Sequence, residues 1–162
     1  MSKHQYWILP PCAVFAMGFL SSPAFAEEPT QQTGSERALS WIADDSKLEW
    51  GPCPPFMPEG CAIAVLHGDP AQDNADVFFK VPAGADIPMH WHTSAERMVL
   101  VSGELHVSYT GQETVVMRPG TYAYGPAKAP HSAFCAEGDA PCVLFIAFES
   151  PVDAIAGEPP AE

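Results

Sequence analysis

Three potential metal ligands lie close together in the sequence: His90, His92 and Glu96. The stretch around them, residues 84–103, has the composition of two short strands joined by a turn at 93–95. Because side chains alternate across a strand, the two histidines point to the same face, and the carboxylate can return beside them. This ligand set suits Fe(II), Mn(II), Ni(II), Cu(II) or Zn(II), with positions left for water or substrate. The simpler alternative is two surface histidines beside a solvated glutamate.

A second stretch, residues 120–135, adds His131 at the start of another predicted strand. Together the two stretches resemble the cupin family. The first cupin motif, G-x5-H-x-H-x3,4-E-x6-G, is matched at every fixed position by Gly84, His90, His92, Glu96 and Gly103. The second motif, G-x5-P-x-G-x2-H-x3-N, is matched by Gly120, Pro126 and His131. The sequence departs from it twice, with Lys128 in place of a glycine and Cys135 in place of the asparagine.

The resemblance implies an all-β fold, a jelly-roll barrel of antiparallel strands. It also implies that His90, His92, Glu96 and His131 hold one divalent transition-metal ion, which could be Fe, Mn, Ni, Zn or Cu. His131 would join the site because closure of the barrel brings a late strand beside the first motif. Glu96 is in addition a candidate catalytic base if it dissociates from the ion.

Tyr124 is the candidate substrate-positioning hydroxyl, because it precedes the Pro126 turn that leads to His131. His106 could reach the barrel interior, but a hydrogen-bonded strand histidine is the simpler interpretation, and His67 is expected to be a solvated turn residue. Alternation along the strands predicts which residues share the interior with the ligands, unless a bulge inverts the count. Those residues are Pro88, Met98, Leu100, Ala133 and Cys135.

Residues 1–26 have the pattern of a secretory signal peptide, with an apolar run at 6–20 and small residues before a predicted cleavage after Ala26. Two prolines interrupt the apolar run, which is shorter than the ~18–20 residues that a membrane span needs. The sequence therefore predicts a periplasmic or secreted protein that has no membrane association after cleavage.

The remaining chain is long enough for one domain. Residues 27–47 are polar and predict a flexible N-terminal arm, in which a short helix at 35–43 is possible. Residues 48–150 form the predicted barrel domain, including its proline-rich lead, and residues 151–162 are predicted to be a disordered tail.

The chain carries 20 acidic and 7 basic residues, for a net charge of −13 at pH 7. This balance argues against nucleic acid and anionic lipid as partners, and it leaves a small-molecule ligand or substrate. The solvation of an exported protein is sufficient to explain this excess of acidic residues.

The predicted strands are short and evenly separated by turns, which is typical of an antiparallel sandwich or barrel. Some of them, such as residues 143–148, are apolar at nearly every position, so both of their faces must be covered. The cover could be the second sheet, the N-terminal arm or a second subunit, and the family resemblance favours a homodimer.

Four cysteines follow the predicted cleavage site: Cys53, Cys61, Cys135 and Cys142. An even number in an exported protein predicts disulfides, and pairing between the two members of each local pair is preferred. The alternative is that Cys135 supplies a thiolate ligand to the metal, four residues after His131.

The cupin barrel supports many chemistries, so the fold alone does not select a function. The leading hypothesis is an exported metalloenzyme acting on a small organic molecule, with dioxygenase, isomerase and lyase reactions unresolved and an oxygenase-like reaction favoured. The alternative hypothesis is a non-catalytic periplasmic cupin that binds or senses a metal or a small ligand. An enzyme would need an open metal position and polar groups for its substrate.

Overall fold

The computed structural model describes residues 37–160, so the predicted signal peptide and residues 27–36 lie outside the described part of the chain. Within it there are eleven strands, and residues 37–160 contain no helix with the length and apolar character needed to span a bilayer. The strands are β1 (Trp50–Pro52), β2 (Ala62–His67), β3 (Ala75–Val81), β4 (Asp86–Trp91), β5 (Glu96–Ser102), β6 (Leu105–Tyr109), β7 (Val115–Met117), β8 (Tyr122–Gly125), β9 (His131–Cys135), β10 (Cys142–Phe148) and β11 (Ile155–Ala156).

The strands form two antiparallel sheets that face each other across one core. The larger sheet has the order β1-β2-β3-β10-β5-β8, and the smaller has the order β11-β4-β9-β6-β7. Side chains from both sheets meet in the main core cluster, including Val77, Leu100, Leu105, Met117 and Ile146. The predicted all-β cupin jelly-roll fold is confirmed.

The outer face of the larger sheet is covered by residues that precede β1. Leu48 packs there with Ala64, Phe78 and Val143, and Trp41 lies against the same cluster. The indole Nε1 of Trp41 donates a hydrogen bond to the Leu66 carbonyl at 3.2 Å. Strands β2, β3 and β10 are therefore covered on both faces, which explains their continuous apolar runs.

This packing corrects the expectation of a flexible arm for the part of 27–47 that follows Trp41. Apolar area removed from water holds it in place, although its composition is polar. The possible helix is also absent from residues 37–43, which form an irregular segment with a turn.

The tail prediction needs a larger correction. Residues 151–162 were predicted to be disordered, but β11 pairs antiparallel with β4, with Ile155 opposite Trp91 and Ala156 opposite His90. The Gly157 N–H also donates to the Met89 carbonyl at 2.8 Å. Residues 161 and 162 lie outside the described part. Backbone pairing to an edge strand depends little on side-chain type, so composition did not reveal it.

Two disulfide bonds join Cys53 to Cys61 and Cys135 to Cys142, as the local pairing predicts. The second bond leaves Cys135 no thiolate with which to bind a metal. Gly103 lies against it: its φ is 78°, and a Cβ there would be 2.9 Å from the Cys142 Sγ and Cα. The last glycine of the first motif is thus required both by backbone conformation and by space.

Candidate metal centre

The barrel brings three histidines together at one end of its interior. His90 precedes Trp91, the last residue of β4, and His92 follows that strand. His131 is the first residue of β9. All three are buried, and one ring nitrogen from each lies within 4.8 Å of the others. His90 and His131 are paired across neighbouring strands, with ring centroids 4.2 Å apart. Residues 41 positions apart in sequence therefore share one site.

Glu96 completes the predicted ligand set. Its carboxylate oxygens are 3.4 Å from His92 Nε2 and 3.9 Å from His131 Nε2, and the side chain is buried. The turn before it is fixed by the buried Ser94, whose hydroxyl accepts hydrogen bonds from the Glu149 and Ser150 N–H groups at 2.9 and 3.0 Å. The turn between β4 and β5 is thus tied to the end of β10, which places the carboxylate beside the imidazoles.

Each histidine is oriented by a backbone carbonyl. His90 Nδ1 lies 2.8 Å from the Pro88 carbonyl, His131 Nδ1 lies 3.0 Å from the Ala129 carbonyl, and His92 Nδ1 contacts the Asp153 carbonyl. If each Nδ1 carries the proton and donates it, each Nε2 keeps a lone pair for a metal. Carbonyl contacts of this kind fix the tautomer and the ring plane of metal-binding histidines.

Burial sets the charge state of the four groups. It lowers the pKa of His90 to about 3, with help from neighbouring His131, and it lowers the pKa of His131 to about 4. Burial also lowers the pKa of His92, which the Asp153 carbonyl partly opposes. For Glu96, burial and then the Asp153 charge raise the pKa to about 8. The three imidazoles are neutral, as a divalent ion requires, and the buried Glu96 carboxyl has no cationic partner and holds a proton that an incoming ion must displace.

A cavity of about 270 Å³ lies directly against these residues. All four predicted ligands line it, so an ion held by them would face the cavity. The remaining wall is apolar and comes from β3, β6 and β10 together with the proline-rich lead and the tail. Its members include Met57, Val77, Leu105, Val107, Leu144, Ile146, Phe148 and Val152.

Comparison with known families agrees with this geometry. Residues 77–148, which contain both motifs, match the family described as Cupin domain. Residues 77–148 therefore form a cupin domain, in agreement with the predicted cupin fold. Among curated proteins, none matches the sequence.

Solved cupin structures share the fold at low sequence identity. A RmlC-like cupin from Shewanella frigidimarina NCIMB 400 has a TM-score of 0.56 and 21% identity, over 72% of this chain and 93% of its own. The DMSP lyase DddQ from Ruegeria pomeroyi DSS-3 has a TM-score of 0.59 and 19% identity, over 71% of this chain and 64% of its own. Bacillus subtilis oxalate decarboxylase, studied for its Mn(II) centres, has a TM-score of 0.54 and 18% identity, over 68% of this chain and 30% of its own.

These identities show a common fold and no more. The chain also spans less than two thirds of the length of the two DMSP lyase chains that it matches first, 63% and 64%.

The cupin site contains one tyrosine, but it is Tyr109 and not Tyr124. Tyr124 lies on β8 opposite Arg97, is 51% exposed and does not line the cavity. Tyr109 lines the cavity with its ring centroid 4.8 Å from that of His131. Its buried hydroxyl has no hydrogen-bond partner among the described residues. Leu105, Val107 and Tyr109 alternate along one strand, so their side chains point to the same face. The sequence analysis did not use this pattern, which indicates that Tyr109 faces inward.

Asp153 is the second site residue that the sequence analysis missed. Besides its carbonyl contact with His92, its carboxylate accepts hydrogen bonds from the Thr93 N–H at 2.9 Å and the Thr93 hydroxyl at 2.7 Å. The tail that was predicted to be disordered therefore holds one metal-site histidine and the turn after it.

The alternation of side chains along the strands predicts most of the interior residues correctly, but it is wrong for Pro88. Met98 and Ala133 line the cavity, and Leu100 and Cys135 are buried in the core. Pro88 is exposed and Ile87 takes the inward position, because the pairing of β4 with β9 shifts register between Ile87 and His90. Such a shift inverts the faces on either side of it.

The remaining sequence candidates lie outside the cavity. His106 is on the opposite face of β6 from Tyr109, and its Nε2 is 2.9 Å from the Glu104 carboxylate, which confirms the strand-histidine interpretation. His67 is exposed at the end of β2. Lys128, which replaces a motif glycine, has a φ of 61°, the left-handed conformation that glycine adopts without strain. Its N–H donates to the His92 carbonyl at 2.8 Å, so the loop keeps the position that the motif requires.

Proposed function

We propose that this cupin holds one divalent transition-metal ion through His90, His92, Glu96 and His131 and acts as a metalloenzyme on a small organic molecule. One observation carries the proposal: the buried ligand cluster lines a cavity that has room for a substrate. A structural metal site would instead be closed on all sides by protein ligands.

The residues fit such an ion. Three Nε2 atoms are available because the Nδ1 atoms are engaged with carbonyls, and the buried Glu96 carboxyl gains its missing cation. When bound, the ion supplies Lewis-acid polarisation or a place for dioxygen. The Mn(II) centres named for oxalate decarboxylase support Mn(II) as the first ion to test, beside Fe(II), Ni(II), Zn(II) and Cu(II).

The chain's own residues then have distinct tasks. Glu96 would hold the ion through its carboxylate, and if it dissociates from the ion, that carboxylate could accept a proton from a bound substrate. Tyr109 lines the same space, and its hydroxyl lies next to Gly125, as the Glu96 carboxylate does. The aliphatic wall excludes water, which strengthens each of these electrostatic contacts.

A non-catalytic cupin that binds or senses a metal or a ligand is the second candidate. The observation in its favour is how few polar groups the cavity offers apart from the four ligands, chiefly Tyr109 and Asp153. Catalysis requires groups that stabilise a transition state, whereas storage or sensing of a ligand does not.

The test is metal analysis of the full exported protein, purified without chelator and then loaded with each candidate ion, followed by a substrate screen with the ion that binds. About one ion per chain is expected, and the variant His90→Ala/His92→Ala should bind none while remaining folded. Turnover that requires the ion supports the enzyme, and stoichiometric binding with no turnover supports the second candidate. A folded wild-type protein that takes up no ion contradicts both.

We also propose export, with periplasmic or secreted localisation. The signal-like pattern of residues 1–26 and the two disulfide bonds support it, because disulfides persist mainly in oxidising compartments. Cell fractionation and N-terminal sequencing test it: export predicts a mature protein that begins at Glu27, and an unprocessed cytoplasmic protein contradicts it.

A homodimer is proposed on the outer face of β5 and β8. Val101, Tyr122 and Tyr124 are exposed there on neighbouring strands. Light scattering of the mature protein should give twice the chain mass, and a monomer at micromolar concentration would refute the dimer.

A further inference from the structure

The cavity wall is hydrocarbon over most of its surface. Val77, Leu105, Val107, Leu144, Ile146 and Phe148 supply the part contributed by the two facing sheets. Among residues 37–160, no lysine or arginine lines the cavity. A second charged or hydroxyl-rich group on a ligand would lose its hydration against this wall and gain no partner.

The polar groups gather at one point of the cavity. The Tyr109 hydroxyl and the Glu96 carboxylate both lie next to Gly125, where an added Cβ would be 2.5 Å from the hydroxyl oxygen and 3.1 Å from the carboxylate oxygen. Gly125 does not have a positive φ, so the glycine provides space there and not an unusual conformation. The hydroxyl, the carboxylate and the His131 ring thus lie close together at the metal end of the cavity.

Building on the proposed metal centre, we propose that the cavity takes a small ligand with a single oxygen-bearing head group and a hydrocarbon body. The head lies beside the metal ligands, and the body lies against the aliphatic wall. The volume of about 270 Å³ is just below the ~300–1,000 Å³ of sites for drug-sized ligands, so the ligand is smaller than those. Sugars and dicarboxylates are excluded, because each would place a second polar group against the wall.

Two matched pairs of probes test the ligand class by calorimetry on the full mature protein. Hexanoate and adipate share chain length and one carboxylate head, and they differ in the charge at the far end. On the Zn(II)-loaded protein, hexanoate should bind at least tenfold more tightly than adipate. On the metal-free protein, 1-hexanol should bind at least tenfold more tightly than 1,6-hexanediol. Equal or tighter binding of adipate and the diol would overturn the inference.

The two probe pairs separate this inference from the metal centre itself. Stoichiometric Zn(II) uptake without any preference for the single-headed probes overturns the ligand class and leaves the metal centre intact. No Zn(II) uptake together with a preference for 1-hexanol overturns the metal centre and supports the hydrocarbon body of the ligand.

Discussion

The two ends of the cavity are built in different ways. At the metal end, three histidines and a glutamate are buried together, and each ring is held by a backbone carbonyl from a different part of the chain. The rest of the wall is made of aliphatic side chains that need only fill space. Single substitutions at the metal end should therefore weaken metal binding, whereas those in the wall should lower stability and leave metal binding nearly unchanged.

The largest effect on metal binding is expected for His131→Ala. Removal of one of four ligands should weaken binding of the metal by more than about 100-fold, which exceeds the effect of removing a group that only orients a ligand. His106→Ala is the control, because that histidine lies on the outer face of the neighbouring strand. Competition with a chelator of known affinity measures both, and equal losses in the two variants would contradict the assignment.

A smaller effect is expected when the tail is removed. A chain that ends at Ser150 lacks the Asp153 carbonyl that orients His92 and the strand that pairs with β4. Metal affinity should fall about 10–100-fold, the range for groups that orient a ligand. Asp153→Ala keeps the backbone carbonyl of residue 153, so its metal affinity should fall less than that of the truncated protein. If the truncated protein binds metal as tightly as the full chain, the tail does not position His92.

Metal affinity should also depend on pH through Glu96. In the metal-free protein this carboxyl has a pKa of about 8, so below pH 8 the incoming ion must displace its proton. Affinity should rise about tenfold per pH unit up to pH 8 and then level off. His90 and His131, with pKa values of about 3 and 4, add no competition above pH 5. Glu96→Gln should bind more weakly and show no such slope; a slope that survives in this variant belongs to another group.

The smallest effect on metal binding is expected in the wall. Leu144 lies four residues before Phe148 on β10, which is about 13 Å along a strand. Phe148 is the residue whose ring contacts that of His92. Leu144→Ala should lower the free energy of unfolding by about 2–4 kcal/mol, because it removes buried methyl groups. Its metal affinity should remain within about twofold of wild type. Denaturant melts and chelator competition on the same sample compare the two quantities.

The same contrast explains what could be predicted from sequence. His90, His92 and Glu96 lie on a strand, a turn and a strand, so their convergence follows from local geometry, and the family motif added His131. Tyr109 could have been found by alternation along β6, but Pro88 could not be placed, because a register shift leaves no mark in residue type. The contact of Asp153 with His92 uses a backbone carbonyl, which every residue possesses, so no sequence pattern announces it.

The most direct test of the metal centre is a crystal structure of the loaded protein with diffraction data collected on both sides of the absorption edge of the bound metal. We expect one anomalous peak per chain, at bonding distance from the Nε2 atoms of His90, His92 and His131 and from a Glu96 carboxylate oxygen, facing the cavity. A peak at any other place in the chain, or none in a stoichiometrically loaded crystal, would contradict the proposed metal centre.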